Sequence, residues 1–418
     1  MKQFIKSITP PSILERYHYC LAMLGALYYG FPSRKLFVIG ITGTKGKSTT
    51  TELVAAILQE AGLTVAVAST IRFAIGNESE PNLFKMTMPG RFFLQRFLRK
   101  AVTQGATHAI VEMTSEGAKQ YRHKGIALDA LVFTNLQPEH IESHGSLEKY
   151  AAAKLSLAKH LEESPKRPRY IVANADDPYG KDFLAADVEV RAPFTLSDAE
   201  PYSTDERSVR FVWRQGEFFT APLPGVFNLK NILAALTLCD AMGVPHQMMK
   251  KALEHIGPIA GRAERIECGQ PFTVIVDYAH TPDSLRALFE TYKNKKIIGV
   301  IGSTGGGRDT WNRPEKGKVA EEFCDTVFIA NEDPYDEDPQ KILEAIAKGF
   351  TTKKPHIMLD RRQAIREALT EAKEGDTVLI TGKGTDPYIM GSHSTKEPWS
   401  DRKVAEEELE KLGYRQGE

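Results

Sequence analysis

The run Gly40 to Thr49, GITGTKGKST, carries glycines at 40, 43 and 46, lysines at 45 and 47, and hydroxyls from Ser48 onward. A glycine-rich turn can point its backbone N–H groups at a phosphate, and a helix that starts there adds partial positive charge. Lys47 is placed to reach the β- and γ-phosphates of a nucleotide, and Ser48 to offer its hydroxyl to a magnesium ion. Gly43, Thr44, Lys45, Gly46 and Thr49 complete this cradle. The strict G-x4-G-K-[ST] pattern is not met, because Ile41 stands five residues before Gly46. The bland reading is an ordinary strand-to-helix turn; three glycines and GKS in this setting weigh against it.

The elements around this loop alternate between two periods. LFVIGI (36–41) is a short apolar run, read as a strand buried on both faces. STTTELVAAILQEAG (48–62) has helical spacing and ends at a glycine. TVAVAS (64–69), THAIVEM (107–113), ALDALVF (127–133) and RYIVAN (169–174) read as further strands, with helices over 92–104 and 147–161. This alternation predicts an α/β fold with a mostly parallel sheet covered on both sides. After Asp187 the pieces VEVRAPFTL, VRFVW and EFFTAPL predict an antiparallel extension, followed by the helix NLKNILAALTLCDAMG. A second α/β series starts near Gly261, with strands FTVIVDY, KIIGVIG, TVFIAN, HIML and TVLITG separated by helices. Gly and Pro cluster in IGPIAGRAE, which places a boundary there. The expected division is an N-terminal helical segment (1–35), a central phosphate-loop ATPase domain (36–260) and a C-terminal Rossmann-like α/β domain (261–418).

Composition agrees with a folded enzyme. Of 418 residues, 54 are Lys or Arg and 54 are Asp or Glu, so the chain is formally neutral. That disfavours a nucleic-acid coat, which needs basic charge. The hydrophobic share of 42% is too high for a disordered chain. Cys20, Cys239, Cys268 and Cys324 are scattered, with no CxxC pair for zinc and no disulfide framework. No signal peptide is visible, and the apolar stretch Tyr17 to Phe31 is shorter than the roughly 20 residues needed to cross a bilayer. A cytoplasmic protein is expected.

GTKGKS resembles the phosphate loop of the Mur ligase family, ATP-dependent amide-bond ligases of cell-wall precursor synthesis, and further blocks follow in the family's order across about residues 36 to 413. VEMTSEG resembles the segment whose glutamate binds magnesium, which implies that role for Glu112. FTNLQPEHIESHGSLEKYAAAK (133–154) resembles a metal-binding block. It implies His140 as a ligand of a second magnesium and Lys154 as the lysine that is carbamylated, with Glu142 in place of the usual aspartate. GVFNLKNILAA (225–235) implies Asn231 near the nucleotide. GRAERI and VDYAHTPDSL imply Arg262 on an ATP phosphate, Asp277 on the ribose, and Tyr278 and His280 lining the nucleotide site. DYAHTPDSL points to the branch that adds the third amino acid. The implied chemistry moves the γ-phosphate of ATP to a substrate carboxylate. The amine of an amino acid then attacks the acyl phosphate.

Three departures bear on the substrates. Only 39 residues precede Gly40, too few for the uridine-nucleotide-binding domain expected there. The arginine that grips a distal carboxylate in some relatives is replaced within NEDPYDEDP, where Glu332, Asp333 and Tyr335 suggest an acidic site for an amino acid with a distal amine. GKGTDP replaces the family's GKGHE, leaving Lys383 and Asp386 as candidate contacts. The partners expected are a carboxylate acceptor and an amino acid, without nucleic acid. The rival readings are a folylpolyglutamate-type ligase, a ligase of lipid-linked precursors, and a nucleotide-binding module without catalysis. Finally, SILERYHYCLAMLGALYYGF predicts a helix capped by Ser12 and ending at Gly30, with Leu14, Tyr17, Leu21, Leu24 and Tyr28 at helical spacing. It either packs on the ATP domain or, through 12–30, meets a membrane surface or a partner.

Overall fold

A computed structural model of the chain describes residues 11–139, 141–214 and 216–415. Eight strands form the first sheet: β1 (Phe37–Thr42), β2 (Val65–Ala68), β3 (Arg72–Ile75), β4 (Glu78–Pro81), β5 (His108–Glu112), β6 (Ala130–Phe133), β7 (Tyr170–Asn174) and β8 (Val190–Phe194). Their order is β4-β3-β2-β5-β1-β6-β7-β8. All neighbours from β2 to β8 run parallel, while β3 and β4 fold back antiparallel. The strand β1 is apolar from Phe37 to Ile41, as suits a strand covered by helices on both faces. Ile39 and Ile41 pack towards α2 (Lys47–Glu60) and Val226–Ala241, and Val38 packs towards α3 (Arg91–Thr103) and α4 (Leu147–Glu162).

The expected antiparallel extension is corrected at its first piece. VRAPF within it forms β8, which pairs parallel with β7 at the sheet edge. Its alternating burial comes from that edge position and imitates the alternation of an antiparallel strand. The antiparallel sheet itself is β9 (Tyr202–Thr204), β10 (Val209–Trp213) and β11 (Glu217–Ala221). The β3–β4 hairpin is an addition to the expected set. Its two-residue turn, Gly76-Asn77, joins Ile75 to Glu78 and is a hairpin signal that the sequence carried.

The C-terminal half builds a second sheet from β12 (Glu264–Ile266), β13 (Thr273–Asp277), β14 (Ile297–Ile301), β15 (Thr326–Ala330), β16 (His356–Met358) and β17 (Thr377–Thr381). The order is β12-β13-β17-β14-β15-β16, parallel except for β12. Helices Pro282–Tyr292, Asn312–Phe323 and Pro339–Ala347 cover one face; Arg361–Glu371 and Asp401–Lys411 cover the other.

The first described helix, α1 (Pro11–Tyr28), lies on α3. Ser12 sits inside it rather than at its cap, and it stops two residues before Gly30, whose φ of +66° ends the helical path. Its fully buried face is Ala22, Gly25 and Ala26. Of the expected stripe, Leu14 and Leu21 are half-buried, whereas Tyr17, Leu24 and Tyr28 are exposed at 56%, 54% and 77%. Two apolar stripes share this helix, and the one of small residues wins the contact because it lets the helices approach closely. No helix among the described residues is long and apolar enough to cross a membrane.

Candidate functional site

The loop after β1 sits where the sheet's order reverses, with β5 on one side and β6 on the other. In open α/β sheets ligands bind at this crevice. Two glycines are required by space. A Cβ on Gly43 (φ +145°) would lie 2.0 Å from Thr134 Oγ1, and one on Gly46 (φ +81°) 2.0 Å from Asn231 Oδ1. Asn231 therefore packs directly on the loop. Thr44 bonds the Tyr150 hydroxyl at 3.0 Å, and Lys45 N donates to Asn135 Oδ1 at 2.9 Å. Lys47 opens α2, with Thr49 buried behind it, and folds its ammonium back onto the carbonyls of Gly43 (3.1 Å) and Thr44 (2.9 Å).

Ser48 is the junction of the site. Its hydroxyl lies 3.1 Å from Glu112 Oε2 and accepts from Arg262 Nη2 at 3.2 Å. Glu112 ends β5, is buried, and accepts from Thr70 N at 2.8 Å and Thr70 Oγ1 at 3.0 Å. A carboxylate fixed beside a serine hydroxyl is an all-oxygen donor set. That suits a magnesium ion that takes its remaining ligands from phosphates and water.

Lys154 reaches the loop from α4 and donates to Gly43 O at 2.6 Å, the carbonyl that Lys47 also uses. Burial pushes the ammonium of Lys154 well below the usual lysine range, and the charge of Lys47 pushes it further. Burial lowers Lys47 too, while Glu112 and Glu139 oppose the shift. Two desolvated cations on one carbonyl make a site that polyphosphate would relieve. His140 lies outside the described residues. Its neighbour Glu139, which sequence reasoning passed over, is buried and bonds Lys45 Nζ at 3.0 Å and His280 Nε2 at 2.8 Å. The only signal for it was its place beside His140 in PEH. Thr70, Asn135 and Tyr150 were missed as well: Thr70 stands in no recognised string, and Asn135 and Tyr150 stand in FTN and YAAAK without a role of their own there.

The C-terminal half brings its residues to the same loop. The Arg262 guanidinium stacks on the Tyr278 ring at 4.5 Å from its centre. Asp277 accepts from the N–H groups of Ala263 and Ala279, each at 2.6 Å, so it ties the GRAE turn to the DYAH strand end. Burial raises its carboxyl, and Arg262 opposes this. His280 bonds the Tyr278 carbonyl through Nδ1 at 2.8 Å.

A cleft of about 410 Å³ continues from Thr70, Glu139 and His280 to Lys316, Glu332, Asp333, Tyr335 and Asp386. Glu332 is buried; one oxygen accepts from Thr304 Oγ1 at 2.7 Å and the other has no partner. Lys383 is fully buried, donating to Asp333 at 2.9 Å and to the Tyr388 carbonyl at 2.6 Å. It thus holds Asp333 in place rather than facing the cleft as an open cation. Tyr335 sits in the left-handed region at φ +52°.

Residues 41–239 match the model of the Mur ligase middle domain, and residues 261–384 that of the Mur ligase glutamate ligase domain. The UDP-N-acetylmuramyl-tripeptide synthetase of Roseiflexus sp. (strain RS-1) is 38% identical, over 94% of this chain and 82% of its own. The UDP-N-acetylmuramoyl-L-alanyl-D-glutamate--2,6-diaminopimelate ligase of Syntrophomonas wolfei is 34% identical, over 93% and 81%. A solved ligase of that second name superposes with a TM-score of 0.61 at 27% identity, covering 91% of this chain and 79% of the other. Folylpolyglutamate synthase of Mycobacterium tuberculosis superposes at 0.71 with 17% identity, covering 90% and 95%, a likeness of fold alone.

Proposed function

The chain belongs to the Mur ligase family, and we propose that it joins an amino acid to a carboxylate of a UDP-muramoyl-peptide precursor at the expense of ATP. The observation that carries this reading is the meeting of Arg262 with Ser48 across the two halves of the chain. That contact sets a guanidinium from one half against the phosphate loop of the other, where charge on a transferring phosphate is stabilised. The acceptor carboxylate attacks the γ-phosphate, giving an acyl phosphate and releasing ADP; the amine of the amino acid then attacks the acyl carbon, phosphate leaves and the nitrogen gives up a proton. Lys47, Lys45 and the loop N–H groups hold the triphosphate, and Asn231 packs against Gly46 beside them. Tyr278 and His280 wall the nucleotide, and Asp277 fixes the turn that presents Arg262.

Ser48 and Glu112 would hold magnesium, which when bound neutralises phosphate charge. A neutral Lys154 amine can add carbon dioxide, losing a proton, and the resulting carbamate supplies anionic oxygens for a second ion. The depressed ammonium of Lys154 supports this, because only the free amine reacts. The working unit is two lobes, 36–260 and 261–418, with the segment before Gly261 as their link.

The test is a phosphate-release screen of amino acids against muramyl-peptide acceptors, with folate plus glutamate as the contrasting pair. Release with muramyl peptides supports the reading; release only with folate plus glutamate overturns it.

A further inference from the structure

One cation crosses the cleft. Lys85 belongs to the first half of the chain, in the segment between β4 and α3, yet its ammonium lies 2.5 Å from Asp333 Oδ2 and 3.4 Å from Asp386 Oδ2. The Tyr388 carbonyl is 3.4 Å away, and the Tyr335 ring centre 5.9 Å. Lys85 adopts φ +51° to make this reach, a strained conformation for a long side chain. All of Lys85, Asp333, Tyr335 and Asp386 line the cleft described above. The two carboxylates face two ammonium groups: Lys383, buried beneath them, and Lys85, 15% exposed and arriving from the other lobe. Lys383 is part of the wall. Lys85 is the removable member, and without it Asp386 and one oxygen of Asp333 lose their cross-cleft cation.

We propose that Lys85 is an internal stand-in for the incoming amino acid. The acidic end of the cleft is a seat for one primary ammonium on an aliphatic stem. Lys85 fills it when the lobes are closed without substrate, and the side-chain ammonium of a diamino acid displaces it. This rests on the ligase reading and adds a competitor built into the chain: Lys85 holds the seat until a side-chain ammonium displaces it. The arrangement makes Lys85 a competitor, so its removal tightens binding. A merely structural strap has the opposite sign, because its loss would loosen the closed cleft and weaken binding.

The experiment measures binding of L-lysine and L-norleucine to the full-length chain by calorimetry, for the native protein, Lys85→Met and Lys85→Gln, with thermal melts to confirm folding. The expected result is a Kd for lysine at least tenfold lower in both variants, a KM for lysine lowered in parallel, and no gain for norleucine. Adding Asp386→Asn to Lys85→Met should cancel the gain. Equal or weaker lysine binding in the variant that folds, or an equal gain for norleucine, overturns the proposal. Phosphate release by the native protein with muramyl acceptors is scored separately. Its absence with every amino acid would sink the ligase reading, while the calorimetric comparison still decides the role of Lys85.

Discussion

Lys47 and Lys154 converge on one carbonyl, that of Gly43, and their substitutions separate two kinds of contribution. Lys47 acts on phosphate as a point charge, and its ammonium bonds only loop carbonyls. Lys47→Ala should lower ATP turnover by roughly a hundredfold or more and leave the melting temperature nearly unchanged. Near-normal phosphate release would remove the loop from the mechanism. Lys154→Ala should be inactive and regain part of its activity with acetate or formate, which restore anionic oxygens in the vacated space. Rescue by chloride to the same extent would show that bulk charge, not a carboxylate-like ligand, is what the site lacks. Most of these residues were legible in the sequence because they stand in contiguous strings: GTKGKS, VEMTSEG, YAAAK, DYAHTPDSL. Glu139, Thr70 and Lys85 were not: Thr70 and Lys85 stand outside those strings and Glu139 is only the neighbour of His140 in PEH, so their contacts, 42 to 248 positions away, are what reveal them.

At the scale of elements, legibility followed burial. Strands covered on both faces, such as β1 and β13, declared themselves as unbroken apolar runs, and the phosphate loop came with them. The edge strand β8 was misassigned because one open side gives it an alternating pattern. On α1, periodicity could not say which of two apolar stripes faces α3. The helix α4 carries a test of its own. His160 donates through Nε2 to the Ile126 carbonyl at 2.8 Å, faces Lys124 with Nδ1 at 3.4 Å, and packs edge-on against buried His123. Burial, then Lys124, pushes the His160 pKa down to about 4, and burial holds His123 well below its ordinary value. The unfolded chain takes up these protons near pH 6.5 and the folded chain resists. Stability from this pair is therefore complete above pH 6.5 and is lost as pH falls towards 4. His160→Gln keeps an N–H donor for Ile126 but does not titrate. It should flatten the loss of unfolding free energy between pH 7 and pH 5 by about 2 kcal/mol. An unchanged slope in urea titrations would assign the acid sensitivity elsewhere.

For the whole molecule, the two sheets are joined at the site by contacts between lobes. Arg262 reaches Ser48, His280 reaches Glu139, and Thr310 donates to Glu142 Oε1 through N (2.9 Å) and Oγ1 (3.0 Å). Glu142→Ala removes both Thr310 bonds. It should increase the radius of gyration of the ligand-free chain in small-angle scattering, and a non-hydrolysable ATP analogue should reverse the change. A radius equal to that of the native chain would show that this contact does not hold the lobes together. The Lys85–Asp333 bridge has a wider consequence. Lys85 and the amino acid proposed to displace it hold the same carboxylates by charge, and the Lys85 side chain keeps 15% of its surface exposed, so dissolved ions reach that end of the bridge. At physiological ionic strength the screening length is about 8 Å, comparable to the reach of these side chains. Raising salt should therefore weaken the seat for Lys85 and for the amino acid alike before it harms either sheet, so a Michaelis constant measured for this ligase belongs to the buffer in which it was taken.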